Sequence, residues 1–163
     1  MSTNSLGNAF VSRLAGRARV CFALAVAITW VSFGSFADSF ADAASMEVFK
    51  TPSGNISCAY IPPPISTSAV MTCEVRSYSG KVATRPKDCD LDWVPTATVD
   101  KFGKVSTWSC QGDTLSSPDA NALAYGATWK RGVFTCVSSI SGVRCSHKNG
   151  HGFTVSRSAI AKF

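Results

Sequence analysis

Three groups of residues in this chain have types and spacings that can do chemistry. Cys136, Cys145, His147 and His151 come first, because the H-x3-H step matches a zinc-finger histidine pair. The two cysteines, however, are separated by eight residues, where a zinc site places roughly two to four between its thiolates. Asp88, Asp90 and Asp92 form the second group. They alternate with Cys89 and Leu91, so an extended chain sets three carboxylates on one face. The run resembles the opening of a calcium loop, but Trp93 stands where that loop needs glycine and Val99 where it needs glutamate. The bland reading turns Cys89, Leu91 and Trp93 inward and leaves the acids in water.

The third group is a hydrolase set. His147 or His151 would act as base for Ser156 or Ser53, oriented by Asp113 or Asp92. None of these serines sits in a G-x-S-x-G elbow. Asp92 and Asp113 are also the carboxylates a glycosidase would use, if Cys89 and Cys110 drew their segments together. No motif names a reaction. The favoured assignment has no catalytic residue, metal or cofactor: His147 is a hairpin residue near Phe153, and His151 a turn residue between two glycines.

The elements that position these groups follow from the cysteines. Six lie after residue 43: Cys58, Cys73, Cys89, Cys110, Cys136 and Cys145. An even number in a small exported domain reads as a disulfide framework. Nearest-neighbour spacing favours Cys58 with Cys73, Cys89 with Cys110 and Cys136 with Cys145, each contributing about 3 kcal/mol on the loop-entropy model. Residues 54–76 and 132–156 repeat one pattern, a cysteine-bearing apolar strand, a turn-rich loop and a second cysteine-bearing strand. The fold class expected for 44–163 is therefore all-β: a small antiparallel sandwich or barrel-like domain with two stapled hairpins.

Individual segments give finer expectations. Val48 and Phe49 suit a short edge strand, and Pro62, Pro63 and Pro64 an exposed, stiff loop. Val105 to Cys110 alternates so that Trp108 and Cys110 face the core. Leu123 to Trp129 fits either strand or extended loop. After Cys145, an odd-numbered loop centred on Gly150 opposes Cys145 to Val155 and His147 to Phe153; a two-residue Asn149-Gly150 turn would send the apolar faces apart. Gly150 or Gly152 supplies the positive φ, and Ser156 caps a closing helical turn. Trp93, Trp108, Tyr125 and Trp129 suit a sugar-stacking platform or, preferably, the core itself.

Before this domain, Arg13, Arg17 and Arg19 precede an apolar run from Val20 to Phe36, the pattern of a helical signal peptide over 1–43. Small residues allow cleavage after Ala37 or Ala43. The apolar run is shorter than the roughly 20 residues a spanning helix needs, so the membrane enters only through this segment if it stays uncleaved. Residues 44–163 then carry 13 basic and 8 acidic side chains, a net charge of +5. Mild basicity suits an anionic envelope polymer or a protein as partner. Nucleic acid is disfavoured, since the cations are scattered without interleaved aromatics.

TPSGNISC at Thr51–Cys58, CDLDW at Cys89–Trp93, the C-x-GDT of Cys110–Thr114, LAYG at Leu123–Gly126, and GVRC with GHGFTVSR at Gly142–Cys145 and Gly150–Arg157 carry a resemblance. Together they resemble a family of small exported actinobacterial proteins of unknown function, known mainly from mycobacteria and their relatives. Val94 stands where that pattern has glycine, and the first hairpin loop is long and proline-rich. The resemblance implies export, a secreted or cell-envelope location and a shared fold, and brings no catalytic residues. Two functions are then open: a non-enzymatic binding module, or a small envelope-active hydrolase using a histidine and a carboxylate.

Overall fold

The computed structural model describes residues 45–163, and the expected leader over 1–43 lies outside the described residues. The strands are β1 (Glu47–Lys50), β2 (Ile56–Ile61), β3 (Val70–Val75), β4 (Asp92–Asp100), β5 (Val105–Gln111), β6 (Asn121–Ala122), β7 (Thr128–Arg131), β8 (Phe134–Ser139), β9 (Gly142–His147), β10 (Gly152–Val155) and β11 (Ile160–Lys162). One sheet runs β5-β4-β3-β2-β1-β6 and the other β11-β10-β9-β8-β7. Every pairing is antiparallel except β1 with β6. Among the described residues no helix is long and apolar enough to cross a membrane.

Period-two alternation makes the sandwich. In β9, Val143, Cys145 and His147 are buried while Arg144 is exposed; in β8, Phe134, Cys136 and Ser138 are buried. These residues meet Phe49, Met71, Val99 and their neighbours from the larger sheet in one apolar core. At the β1 side the sheets are also tied by Glu47, which accepts from Trp129 Nε1 at 3.1 Å and pairs with Arg131.

Each stapled hairpin sets its cysteines directly opposite one another, Cys58 against Cys73 and Cys136 against Cys145. Their Cα atoms are 4.0 and 4.1 Å apart, nearer the ~4.5 Å of a non-hydrogen-bonded pair than the ~5.5 Å of a hydrogen-bonded one. Both bridges are fully buried. They also touch, because Cys73 Sγ lies 3.7 Å from Cys145 Sγ. The Cys89–Cys110 bridge is different. Cys89 belongs to the irregular stretch before β4, so this bridge anchors a loop to β5; Arg85 clamps the same loop by donating to the Cys89 and Leu91 carbonyls.

Several local expectations are corrected. The loop after β9 is odd-numbered, but it is centred on Asn149, so Cys145 opposes Phe153, Val143 opposes Val155, and His147 N–H donates to the His151 carbonyl. The turn closes early through Gly150 N–H on the His147 carbonyl, and Gly150, at φ 92°, is its last residue. Ser156 caps no helix. Its Oγ accepts from Ala159 N–H at 2.9 Å, turning the chain into β11. In β5, Val105 and Thr107 pair with the core residues Val99 and Ala97, and Cys110 is exposed. The alternation changes because Pro95 and Thr96 bulge opposite Trp108, whose φ is +64°.

Other corrections concern exposure. Leu91 is 54 % exposed, since the Cys89 segment is loop and does not alternate. Pro62 is buried while Pro63 and Pro64 are exposed. β1 is no edge, because β6 lies along it. Leu123 to Ala127 is loop, and β7 starts only at Thr128.

A hydroxyl-lined cleft between the end turns

Four separate segments meet at one end of the sandwich. The β1–β2 turn is held by Thr51, whose backbone bonds Ile56 and Gly54 and whose Oγ1 accepts from Ile56 N–H. Gly54, at φ 69°, lets it fold over and present Ser53 and Asn55. Asn55 is fixed in turn, its Oδ1 accepting from Ser77 N–H at 2.9 Å. In the β8–β9 turn, Ser139 Oγ donates to the Gly142 carbonyl at 2.9 Å, leaving Ile140 at the tip, 88 % exposed.

The other two segments close the cleft. The β10–β11 turn presents Arg157 and Ser158, and Ser79 N–H donates to the Arg157 carbonyl at 2.8 Å. The Tyr125 loop is sewn to β8 by Gly126 N–H on the Ser138 carbonyl and Ser138 N–H on the Ala127 carbonyl. Between these turns lies a cleft of about 390 Å³, within the ~300–1,000 Å³ range of small-molecule sites. Serine hydroxyls, the Asn55 amide and the Tyr125 phenol line it, and Arg157 is the one charged residue in its lining. Such a wall offers many hydrogen-bond donors and acceptors and one fixed positive charge, but no general base.

Of the residues singled out for chemistry, the two candidate nucleophiles Ser53 and Ser156 line the cleft, while the histidines, the aspartates and the cysteines do not. His147 is buried at the opposite end of β9. Its Nε2 is 3.0 Å from the Lys101 carbonyl and its Nδ1 accepts from Asn149 N–H at 3.1 Å, which together fit the neutral ring protonated at Nε2. Phe134 packs edge-on against it at 5.9 Å. His151 is exposed at the end of the turn just before β10, its N–H donating to Asn149 Oδ1. Asp92 is exposed at the far end of β4, in register with Gln111, and Asp113 is exposed two residues further on. Eight residue steps along β4 separate Asp92 from the β4–β5 turn that His147 touches, about 26 Å. Cys58, Cys73 and Cys145 bring their sulfurs within 4.8 Å of one another, but all are spent in disulfides and offer no thiolate.

Three features were not anticipated. Glu74 in β3 is buried and accepts from Gln111 Nε2 at 3.0 Å, Thr114 Oγ1 at 2.6 Å and Leu115 N–H at 2.8 Å. That gives the Gly-Asp-Thr stretch a structural role, and a lone acid between Cys73 and Val75 was the available signal. Trp108 stacks on Trp93 at 6.0 Å and meets the Tyr78 edge at 5.4 Å. The four aromatic residues thus form neither one platform nor the core: Trp129 packs on Phe49 at the core margin, and Tyr125 stands alone in the cleft. The cleft itself is the third, assembled from turn residues that lie far apart in the sequence.

The molecule is a disulfide-stapled, two-sheet β-sandwich with a polar cleft between its end turns. Residues 33–163 match a family of unknown function, DUF6636, and the chain belongs to that family. No curated protein and no solved structure matches it.

Proposed function

We propose that the protein is exported, loses a leader ending at Ala37 or Ala43, and acts in the extracellular space or cell envelope as a non-enzymatic binding module whose site is the end cleft. The observation that carries this reading is the cleft's lining: hydroxyls, one amide and one guanidinium, with no carboxylate or imidazole. Sandwich folds commonly bind through the turns clustered at one end. Three disulfides in a small domain suit an oxidising compartment. Four of the six stretches that carry the resemblance to small exported actinobacterial proteins also contribute to the lining, through Ser53, Tyr125, Gly142 and Arg157 among others. Histidine-carboxylate hydrolysis lacks this support, since His147 and Asp92 lie at opposite ends of the sandwich.

The test is a capture experiment with the full chain, disulfides intact, immobilised and exposed to culture medium and solubilised envelope from its own source. Binding should be retained by His147 and Asp92 variants and lost in a Tyr125→Ala, Arg157→Gln double variant that melts normally. Loss in the His147→Asn or Asp92→Asn variants alone would move the site away from the cleft. Intact mass of secreted protein reads the leader, and a full-length mass in the membrane fraction would overturn its removal.

A further inference from the structure

The cleft does not stand alone. It shares Tyr125, Ser139, Ile140 and Ser141 with a more open depression of about 580 Å³ that continues over Gly126. It shares Ser139, Ser141, Gly142 and Ser156 with a third, of about 510 Å³, that runs over Val137, Arg144 and Thr154 on the outer face of the smaller sheet. Three adjoining hollows therefore wrap around one turn, Ser139 to Gly142. A compact ligand needs only one hollow, whereas a chain molecule can occupy all three.

Resting on the binding-module reading, we infer that these hollows form one groove for an acidic polysaccharide. Serine hydroxyls occur in all three linings, and apolar surface lies beside them, from Tyr125 and Ile140 at 41 % and 88 % exposure around the turn and from Val137 and Ala159 in the hollow over the smaller sheet. Sugar rings need both, hydroxyl partners around the edge and an apolar or aromatic face beneath. The charged residues in the three linings are Arg157 and Arg144, with no acid among them. Arg144 is in register with Thr154, and Arg157 follows three residues later, about 10 Å along the chain. Guanidinium groups so placed match separate acidic groups on a chain, each able to take a carboxylate or phosphate through two parallel N–H bonds. Arg144 Cζ already lies over the Phe163 ring, 3.5 Å from its centroid, which limits the rotamer freedom it would lose on binding.

The experiment titrates the full chain, disulfides intact, with polygalacturonate oligomers of two to eight sugars, with neutral glucan oligomers of the same lengths, and with inorganic phosphate. Affinity for the acidic series should rise by about tenfold or more from the shortest to the longest member, as adjoining subsites fill. The neutral series should bind at least about tenfold more weakly. Arg144→Gln and Arg157→Gln should each weaken acidic binding about five- to tenfold without lowering the melting temperature or altering the neutral series. Affinity independent of length, or phosphate competing fully at equal concentration, would reduce the groove to a simple anion site and overturn the inference. So would arginine variants that bind acidic chains normally. If envelope material is captured through the cleft but no acidic oligomer binds, the ligand class is wrong and the module reading stands; if neither binds, both fall.

Discussion

Cys73 Sγ and Cys145 Sγ lie 3.7 Å apart, so the staple of one sheet rests directly on the staple of the other. Replacing Cys58 with alanine leaves a free Cys73 thiol facing the Cys136–Cys145 bond, and this thiol attacks once it has given up its proton. Attack on the Cys145 sulfur forms a Cys73–Cys145 bridge between the sheets, breaks the original bond and releases Cys136 as thiolate. Non-reducing peptide maps of Cys58→Ala should therefore contain linked Cys73 and Cys145 peptides and an alkylatable Cys136. An intact Cys136–Cys145 bridge beside a free Cys73 would show that the two staples do not exchange.

Glu74 holds the Gln111–Leu115 segment through three donors. Thr114→Ala should cost about 1.5–3 kcal/mol in denaturant unfolding, the range for a bond to a charged group. Glu74→Ala should cost more, since it also leaves Leu115 N–H without its acceptor. Equal and negligible effects would mean that the segment is held by other contacts.

The two histidines should behave differently. His147 is buried with both ring nitrogens engaged, so His147→Ala is expected to lose about 1–3 kcal/mol; exposed His151→Ala should stay within about 0.5 kcal/mol. Zinc should not raise the melting temperature of the oxidised protein, because the nearby cysteines are bonded to each other and His147 is turned to backbone partners. A zinc-dependent rise of several degrees abolished by either histidine variant would contradict this.

Gly142 links the fold to the cleft. It sits at φ 140°, and a Cβ there would strike the Val155 carbonyl oxygen. Gly142→Ala should destabilise by about 1–3 kcal/mol and shift the Ser139–Ser141 turn, weakening ligand capture more than a distant substitution of equal thermal cost. Unchanged stability and capture would show that β10 gives way without disturbing the turn.

The β hairpins were legible because cysteine spacing, alternation and turn residues all point to the same local pairing. Parity at the last hairpin could also be read, since only an odd loop brings Cys145 and its apolar neighbours to one side; its centre could not, because Lys148, Asn149 and Gly150 accept several turn geometries. The sequence reading failed where long-range contacts decide. Nothing local announces that Trp108 adopts positive φ, or that Ser156 closes a strand turn instead of a helix, because serine caps both. The cleft was hidden for the same reason: Ser53, Tyr125, Ile140 and Arg157 are ordinary turn and loop residues until two sheets carry them to one end.

The two-residue strand β6 has a consequence for how these chains behave in a crowd. By lying parallel on β1 at Phe49 and Lys50 it interrupts the row of free amides that this strand would otherwise offer. Among the described residues the remaining borders are unwelcoming as well. β11 has three residues, β7 ends in Lys130 and Arg131, and the longer β5 is interrupted where Trp108 faces the β4 bulge. A neighbouring copy therefore finds no long, flat margin on which to lay a strand, and the same short pieces that look incidental to the sandwich keep it from growing into a fibre.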